Sequence, residues 1–376
     1  MAVSNFLKKI RKTTGSSSFK ESKYSEINGW ISTGSYALNR IISGSIYKGI
    51  PCGKVVVFAG ENSTGKSLIT NQTAANALKE GFDQVIIFDS EGGVGKEFLE
   101  NLGADTNKVE QVLVESVEDA QIKILGAYTD LLEHRETEPE FKCLFILDSL
   151  GALVASKVIT DAQKNKVVSE MGGRAKICNN LMKACTIPAL KTNCSLMVLN
   201  HVYADPSQMF PSKIKDQGGG KGLMHMCHVN IQCSKKFEKA EKADGVETEM
   251  LGNHMIFFTV KNRMVKPFLR TEFFIDFAEG ANKYDGIVEP AIDYGLIRNP
   301  KQGYFTVPDY SDKMLRRKDL IAGDKADDIW ATILDKFDTM SMEELSYSRV
   351  ALLQPDETEK EVEEQPEIKE KKTEKK

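Results

Sequence analysis

Gly60-Glu61-Asn62-Ser63-Thr64-Gly65-Lys66-Ser67 limits most strictly what this chain can become. It fills every fixed position of the phosphate-loop pattern, between an apolar β run (Lys54–Gly60) and a helix expected to begin near Lys66. Glycines at those places let backbone N–H groups close around phosphate oxygens, and the helix N-terminus adds a favourable dipole. Lys66 supplies a cation for β- and γ-phosphates, and Ser67 a hydroxyl for Mg²⁺. The chain must therefore build a strand–loop–helix unit, and that unit belongs to an α/β sheet.

Three more continuous apolar runs support this: Gln84–Asp89, Cys143–Asp148 and Ser195–Asn200. Runs of this kind, separated by helical stretches, predict a mostly parallel sheet covered on both faces. His228–Cys233, Met255–Lys261 and Arg270–Phe277 lie closer together in sequence and suit antiparallel strands added at the edge. The segment 281–353 reads as a small C-terminal α/β domain, with Ala326–Phe337 its clearest helix. The organisation expected is an N-terminal oligomerisation arm (1–28), a core (29–280), this C-terminal domain, and a disordered charged tail (354–376). In the arm, Phe6, Leu7 and Ile10 among Lys8, Lys9, Arg11 and Lys12 have the spacing of a short amphipathic helix rather than of a secretory signal.

Composition excludes little but is informative. Net charge is −4 over 376 residues, so any nucleic-acid site must be a local basic surface. No apolar run is long enough to span a bilayer. Seven scattered cysteines imply a reducing, cytoplasmic setting with no disulfide framework. His225, Cys227 and His228 come nearest to metal-ligand spacing, and an ordinary strand is the favoured reading.

Two acids complete the expected nucleotide site. Asp148 ends an apolar strand, where an acidic group faces the ligand crevice of an open sheet and can partner Mg²⁺. Glu91 lies just past the strand ending at Asp89 and is placed to polarise an attacking water. Asp89 itself is not read as catalytic.

Ile31-Ser32-Thr33-Gly34-Ser35, the phosphate loop, Phe88-Asp89-Ser90-Glu91, Leu147-Asp148-Ser149-Leu150 and Val260-Lys261-Asn262-Arg263 stand in the order and spacing of the RecA family. Over roughly residues 28–300 the chain resembles that family, and most of all its T4-type bacteriophage branch. The resemblance implies an ATP- and Mg²⁺-dependent RecA-like core and makes Glu91 the catalytic glutamate. It puts Phe98 against adenine, with Gly95 where an acidic adenine-reading residue is usual. It also makes His201 a γ-phosphate sensor, and Lys261 and Arg263 a pair reaching into a neighbouring subunit's ATP. The implied partners are single-stranded DNA, a homologous duplex, further copies of the chain in a head-to-tail helical filament, and mediator and single-strand-binding proteins in the cytoplasm. No membrane is expected.

Two weakly periodic segments are the expected DNA-binding loops. The first, about Lys157–Lys176, offers Lys164, Lys166, Arg174 and Lys176. The second, about Tyr203–Gly222, offers Phe210, Lys213, Lys215, Gly218, Gly219, Gly220 and Lys221. Mobile cations and backbone N–H groups suit phosphates, and an apolar side chain suits bases. Two other readings stay open: a hexameric helicase motor with the same core, and a RecA-fold ATP switch without DNA. The first is disfavoured by a phosphate loop so near the N-terminus, the second by two cation-bearing glycine segments.

Overall fold

The computed structural model describes residues 5–24, 26–166, 173–203, 214–236, 252–276 and 280–347. Its central sheet has nine strands, in the order Gly280–Ala281, Arg270–Asp276, Gly252–Asn262, Val229–Lys236, Val55–Gly60, Ser195–Asn200, Cys143–Asp148, Gln84–Asp89 and Val109–Leu113. The last six are parallel, and the first three join antiparallel.

Two strands differ from expectation. Val229–Lys236, expected among the antiparallel additions, runs parallel to the phosphate-loop strand and brings Cys233 beside Gly60. A crossover containing the helix Lys221–Met226 lets it enter in the same direction as Ser195–Asn200. Val109–Leu113 was not expected at all. It is an edge strand with Glu110, Gln111 and Leu113 exposed, so no apolar run marks it.

Strand geometry sends alternate side chains to opposite faces, and both faces are covered. Val55, Val57 and Ala59 enter one core with the helices Val117–Thr137 and Gly173–Thr192. Val56 and Phe58 enter the other with Tyr36–Ser43 and Lys66–Lys79. Each fully buried Val, Leu, Ile or Phe contributes about 1.5–3 kcal/mol, which is why the run at 55–59 has no polar member. Helix ends are closed locally: the Ser116 hydroxyl accepts from the Asp119 N–H at 3.1 Å, with Glu118 and Asp119 in the first turn. All seven cysteines are buried.

The arm forms the helix Asn5–Thr14, with Phe6 and Leu7 exposed. Residues 298–316 make a three-stranded antiparallel sheet followed by three helices. The helix expected over Ala326–Phe337 is two, Asp324–Ala331 and Leu334–Leu345. The break at Thr332–Ile333 turns Ile329, Trp330 and Phe337 toward one interior. There Trp330 stacks on Tyr284 at 5.5 Å and donates Nε1–H to the Leu320 carbonyl at 2.6 Å. These side chains share a core with Leu38, Ile41 and Phe273, so no gap in packing marks residue 280. Among the described residues no helix is long and apolar enough to cross a membrane.

Candidate functional site

Parallel strands deliver their C-terminal ends to one sheet edge, the side where open α/β sheets bind ligands. Register does the rest: Asp89 lies beside Asp148, and Ala59 beside Asn200. The phosphate loop leaves this edge at Gly60, where a Cβ would meet the Cys233 carbonyl at 2.6 Å. Gly65 turns into the helix with φ of 75°. Lys66 is buried, its Nζ donating to the carbonyls of Gly60 (3.0 Å) and Glu61 (2.7 Å), and burial lowers its pKa. Those carbonyls hold the ammonium over the hollow of Gly60, Glu61, Asn62, Ser63, Thr64 and Gly65, and a phosphate is a better partner for it than either of them.

Asp148 is buried and hydrogen-bonded by the Ser67 hydroxyl. Burial and the nearby Glu91 charge push its pKa up to about 6. A buried carboxylate joined to a hydroxyl offers two hard oxygens, a donor set that fits Mg²⁺. When bound there, Mg²⁺ would neutralise phosphate charge, held through Ser67 and Asp148.

Glu91, Ser149 and His201 come from three different strands and meet. The Ser149 hydroxyl donates to Glu91 Oε1 at 2.6 Å. His201 Nε2 lies 3.4 Å from the same hydroxyl and 3.6 Å from Glu91 Oε1. Ser149 is the residue that sequence reasoning missed: it stands in the quoted motif Leu147–Leu150, but its contacts depend on pairing across the sheet. Asp89 is fully engaged in placing Glu91. Its Oδ1 accepts from the N–H groups of Glu91 (2.9 Å) and Gly92 (2.8 Å), and its Oδ2 from Gln111 (2.7 Å). Phe98 is half-buried on the short helix Lys96–Asn101 that follows.

Gly151 sets the approach of His201, because a Cβ there would lie 2.0 Å from His201 Cδ2. Gly151→Ala should displace the imidazole and uncouple it from Glu91. We expect ATP turnover to fall about tenfold or more while the melting temperature drops only a few degrees. Wild-type turnover in a folded Gly151→Ala protein would show that the imidazole position is not needed.

A model of the RecA N-terminal domain matches residues 1–282. The chain belongs to the RecA family. Relatives include the recombination and repair protein of Enterobacteria phage T4, 30% identical over 271 residues, covering 71% of this chain and 64% of that protein. The RecA proteins of Streptomyces rimosus and of a Sulfurovum species are each 27% identical, covering 68% and 78% of this chain. The match spans 63% of the Streptomyces rimosus protein, so this chain aligns with somewhat under two thirds of the first relatives' length.

Within this RecA core the two glycine-bearing segments differ from the sequence picture. The first was expected to be a loop, but Ser156–Gln163 is a helix and another starts at Gly173. Val158, Ile159 and Ala162 have helical spacing with no glycine among them, and that local preference prevails. Lys164, Lys166 and Lys176 are exposed. Arg174, expected at DNA, is half-buried, and its guanidinium donates to the carbonyls of Leu150 (2.7 Å), Gly151 (3.0 Å) and Leu153 (2.6 Å), clamping the turn after Asp148.

In the second segment, Phe210 and Lys213 lie outside the described residues. Its two ends close on the sheet: Val202–Tyr203 pairs with Asp216–Gln217, and the Gly218 N–H donates to the His201 carbonyl at 2.9 Å. Gly218–Gly220 was expected as flexible backbone. Instead it packs on the helix Gly173–Thr192, where a Cβ on Gly219 (φ +89°) would meet Cys178 Cβ at 2.9 Å. The helix Lys221–Met226 follows directly. Lys215 forms a short ion pair with Glu61, and its hydrogen bond and charge hold the Glu61 carboxyl below the usual range. This pair joins the second segment to the phosphate loop.

Lys261 and Arg263 stand apart from all of this. Asn262 pairs with Val229, and Val229 with Val56, at the start of the phosphate-loop strand. Arg263 therefore leaves the sheet about 17 Å below Gly60 along the strand direction, and two strands aside. Lys261 Nζ donates to the His225 carbonyl, ahead of the Val229 strand, at 2.6 Å.

Proposed function

We propose that this chain is an ATP-dependent DNA strand-exchange recombinase that polymerises head-to-tail on single-stranded DNA, with ATP held between subunits. The observation that carries the reading is the division of the site between two sheet edges. Lys66, Ser67, Asp148, Glu91 and His201 gather at one edge, while Lys261 and Arg263 sit at the other, too far to reach the same nucleotide. Stacking one copy's lower edge on the next copy's upper edge completes the site. Such a heterologous contact, when it does not close, builds a helix.

In this reading Glu91, oriented by Asp89 and Ser149, positions and polarises the attacking water. Lys66 neutralises the phosphates, Ser67 and Asp148 would hold the Mg²⁺ that shares this charge, and Lys261 and Arg263 of the adjacent copy stabilise charge as the γ-phosphate departs. His201 senses that phosphate. Its backbone bond to Gly218 and the Lys215–Glu61 pair offer routes by which nucleotide state orders the second segment on DNA. Lys164, Lys166, Lys176, Lys213, Lys215 and Lys221 supply phosphate contacts, and Phe210 acts on base spacing. Pairing with a homologous duplex rests on base complementarity. Mediator and single-strand-binding proteins and the host cytoplasm complete the setting.

The test is assembly with ATP and single-stranded DNA together, followed by binding at several salt concentrations. Long helical filaments are expected. Closed rings would mean a hexameric motor, and no assembly an ATP switch. A Lys213→Ala, Lys215→Ala, Lys221→Ala protein should bind DNA more weakly with ATP, its salt slope flattened by about 0.7 log unit per lost contact. An unchanged slope would mean that these lysines face only solvent.

A further inference from the structure

The lower sheet edge carries more positive charge than the Lys261–Arg263 pair. Lys54 immediately precedes the phosphate-loop strand, and His228 immediately precedes its parallel neighbour. Backbone bonds lock the three ends side by side: the His228 N–H donates to the Val55 carbonyl at 2.8 Å, and the Arg263 N–H to the His228 carbonyl at 3.1 Å. His228 Nδ1 in turn accepts from the Val55 N–H at 3.1 Å. Val55, His228 and Arg263 are thus level across three adjacent strands, with Lys54 one residue below Val55 and Lys261 two residues from Arg263 on the same strand.

No described carboxylate forms an ion pair with Lys54, Lys261 or Arg263. The consequence is visible in protonation. Burial and the Arg263 charge lower the pKa of Lys54, and burial followed by Lys54, Arg263 and Lys261 pulls His228 down to about 4. The imidazole is therefore neutral at neutral pH, and the cluster holds three like charges, with Lys54 and Lys261 half-buried. Three cations drawn together at a surface, without a carboxylate, are costly unless an anion arrives.

We propose that Lys54 is a third cation of the trans site, contacting the phosphates of ATP bound to a second copy of this chain. The inference rests on the reading that Lys261 and Arg263 act across the subunit interface. His228 acts as a neutral spacer that holds the start of the Lys54 strand and adds no fourth charge.

The experiment compares Lys54→Met and Lys54→Arg with wild type in full-length protein. Assembly is followed by light scattering with a non-hydrolysable ATP analogue, and turnover with ATP. Lys54→Met should raise the protein concentration needed for analogue-dependent assembly about tenfold and lower turnover by a similar factor, while Lys54→Arg retains most of both. Mixing Lys54→Met chains with Lys66→Ala chains should restore turnover, because some interfaces then unite an intact phosphate loop with an intact lower edge. Wild-type assembly and turnover by Lys54→Met would overturn the proposal. So would a defect that mixing fails to rescue while a Lys261→Ala, Arg263→Ala protein is rescued, since Lys54 would then act within its own chain. Failure of both mixtures, although the chains co-assemble, would overturn the trans reading itself.

Discussion

Lys66→Ala and Asp148→Asn should each reduce ATP turnover by at least about 10²–10³-fold, the range seen when one preorganised electrostatic partner is removed from an active site. Lys66 is the only described cation that the phosphate loop itself contributes, and Asp148 the strand-end acid that holds Ser67. The two variants should part company in stability. Without nucleotide or metal, Asp148 is a carboxyl whose folded pKa, about 6, is raised above its ordinary 3.8. Between these values the folded state binds more protons than the unfolded state, so stability falls as pH rises through that window. Above pH 6 the ionised group costs on the order of 3 kcal/mol. Asp148→Asn should therefore melt several degrees higher than wild type at pH 7.5, with the advantage disappearing below about pH 4. Turnover near the wild-type rate in either folded variant would remove the proposed site. A lower melting temperature for Asp148→Asn at pH 7.5 would mean that its bond with Ser67 outweighs the cost of burying the charge.

A Lys261→Ala, Arg263→Ala protein is expected to lose turnover as completely as Lys66→Ala, since cations supplied across an interface to a departing phosphoryl group are worth about 10³–10⁵ in rate. Its own phosphate loop stays intact, about 17 Å from the changes along the strand direction. Mixed with Lys66→Ala chains, it should regain measurable hydrolysis, greatest near equal proportions. In such mixtures some interfaces set a wild-type loop against a wild-type lower edge. If no ratio restores hydrolysis although light scattering shows co-assembly, the two residues serve their own chain and the head-to-tail reading fails. Binding of ATP by the unassembled double variant should match wild type, which separates loss of a trans contact from damage to the loop.

The nucleotide site was legible to different depths for a physical reason. Residues 60–67 act through their own backbone and one side chain, so their pattern is local and readable. Glu91 and Asp148 were readable one step further, as polar groups ending apolar strands. Ser149 was not, because its partner Glu91 is brought over by strand pairing and His201 by the turn after another strand. The contacts of Arg174 were hidden for a related reason. Charge says that a guanidinium seeks acceptors, and only the return of its helix against Leu150–Leu153 brings three carbonyls to it. Gly218–Gly220 likewise resembles a flexible run until Cys178 and Ala175 are found against it.

Taken alone, the chain's order of residues determined the α/β class, the phosphate loop, the two-faced burial of the central strands and the acids at their ends. Each of these follows from short-range geometry: strand alternation, helix spacing and a loop closing on its own N–H groups. Tertiary structure decided the parallel entry of Val229–Lys236, the edge strand Val109–Leu113 and the meeting of Glu91 with Ser149 and His201. It also decided which cations share an edge. Lys54 and Arg263 are far apart in sequence, and nothing local relates them. They become neighbours because His228 is hydrogen-bonded to Val55 on one side and to Arg263 on the other. Pairing between distant strands is chosen by the burial of both sheet faces at once, a property of the whole core rather than of any segment within it.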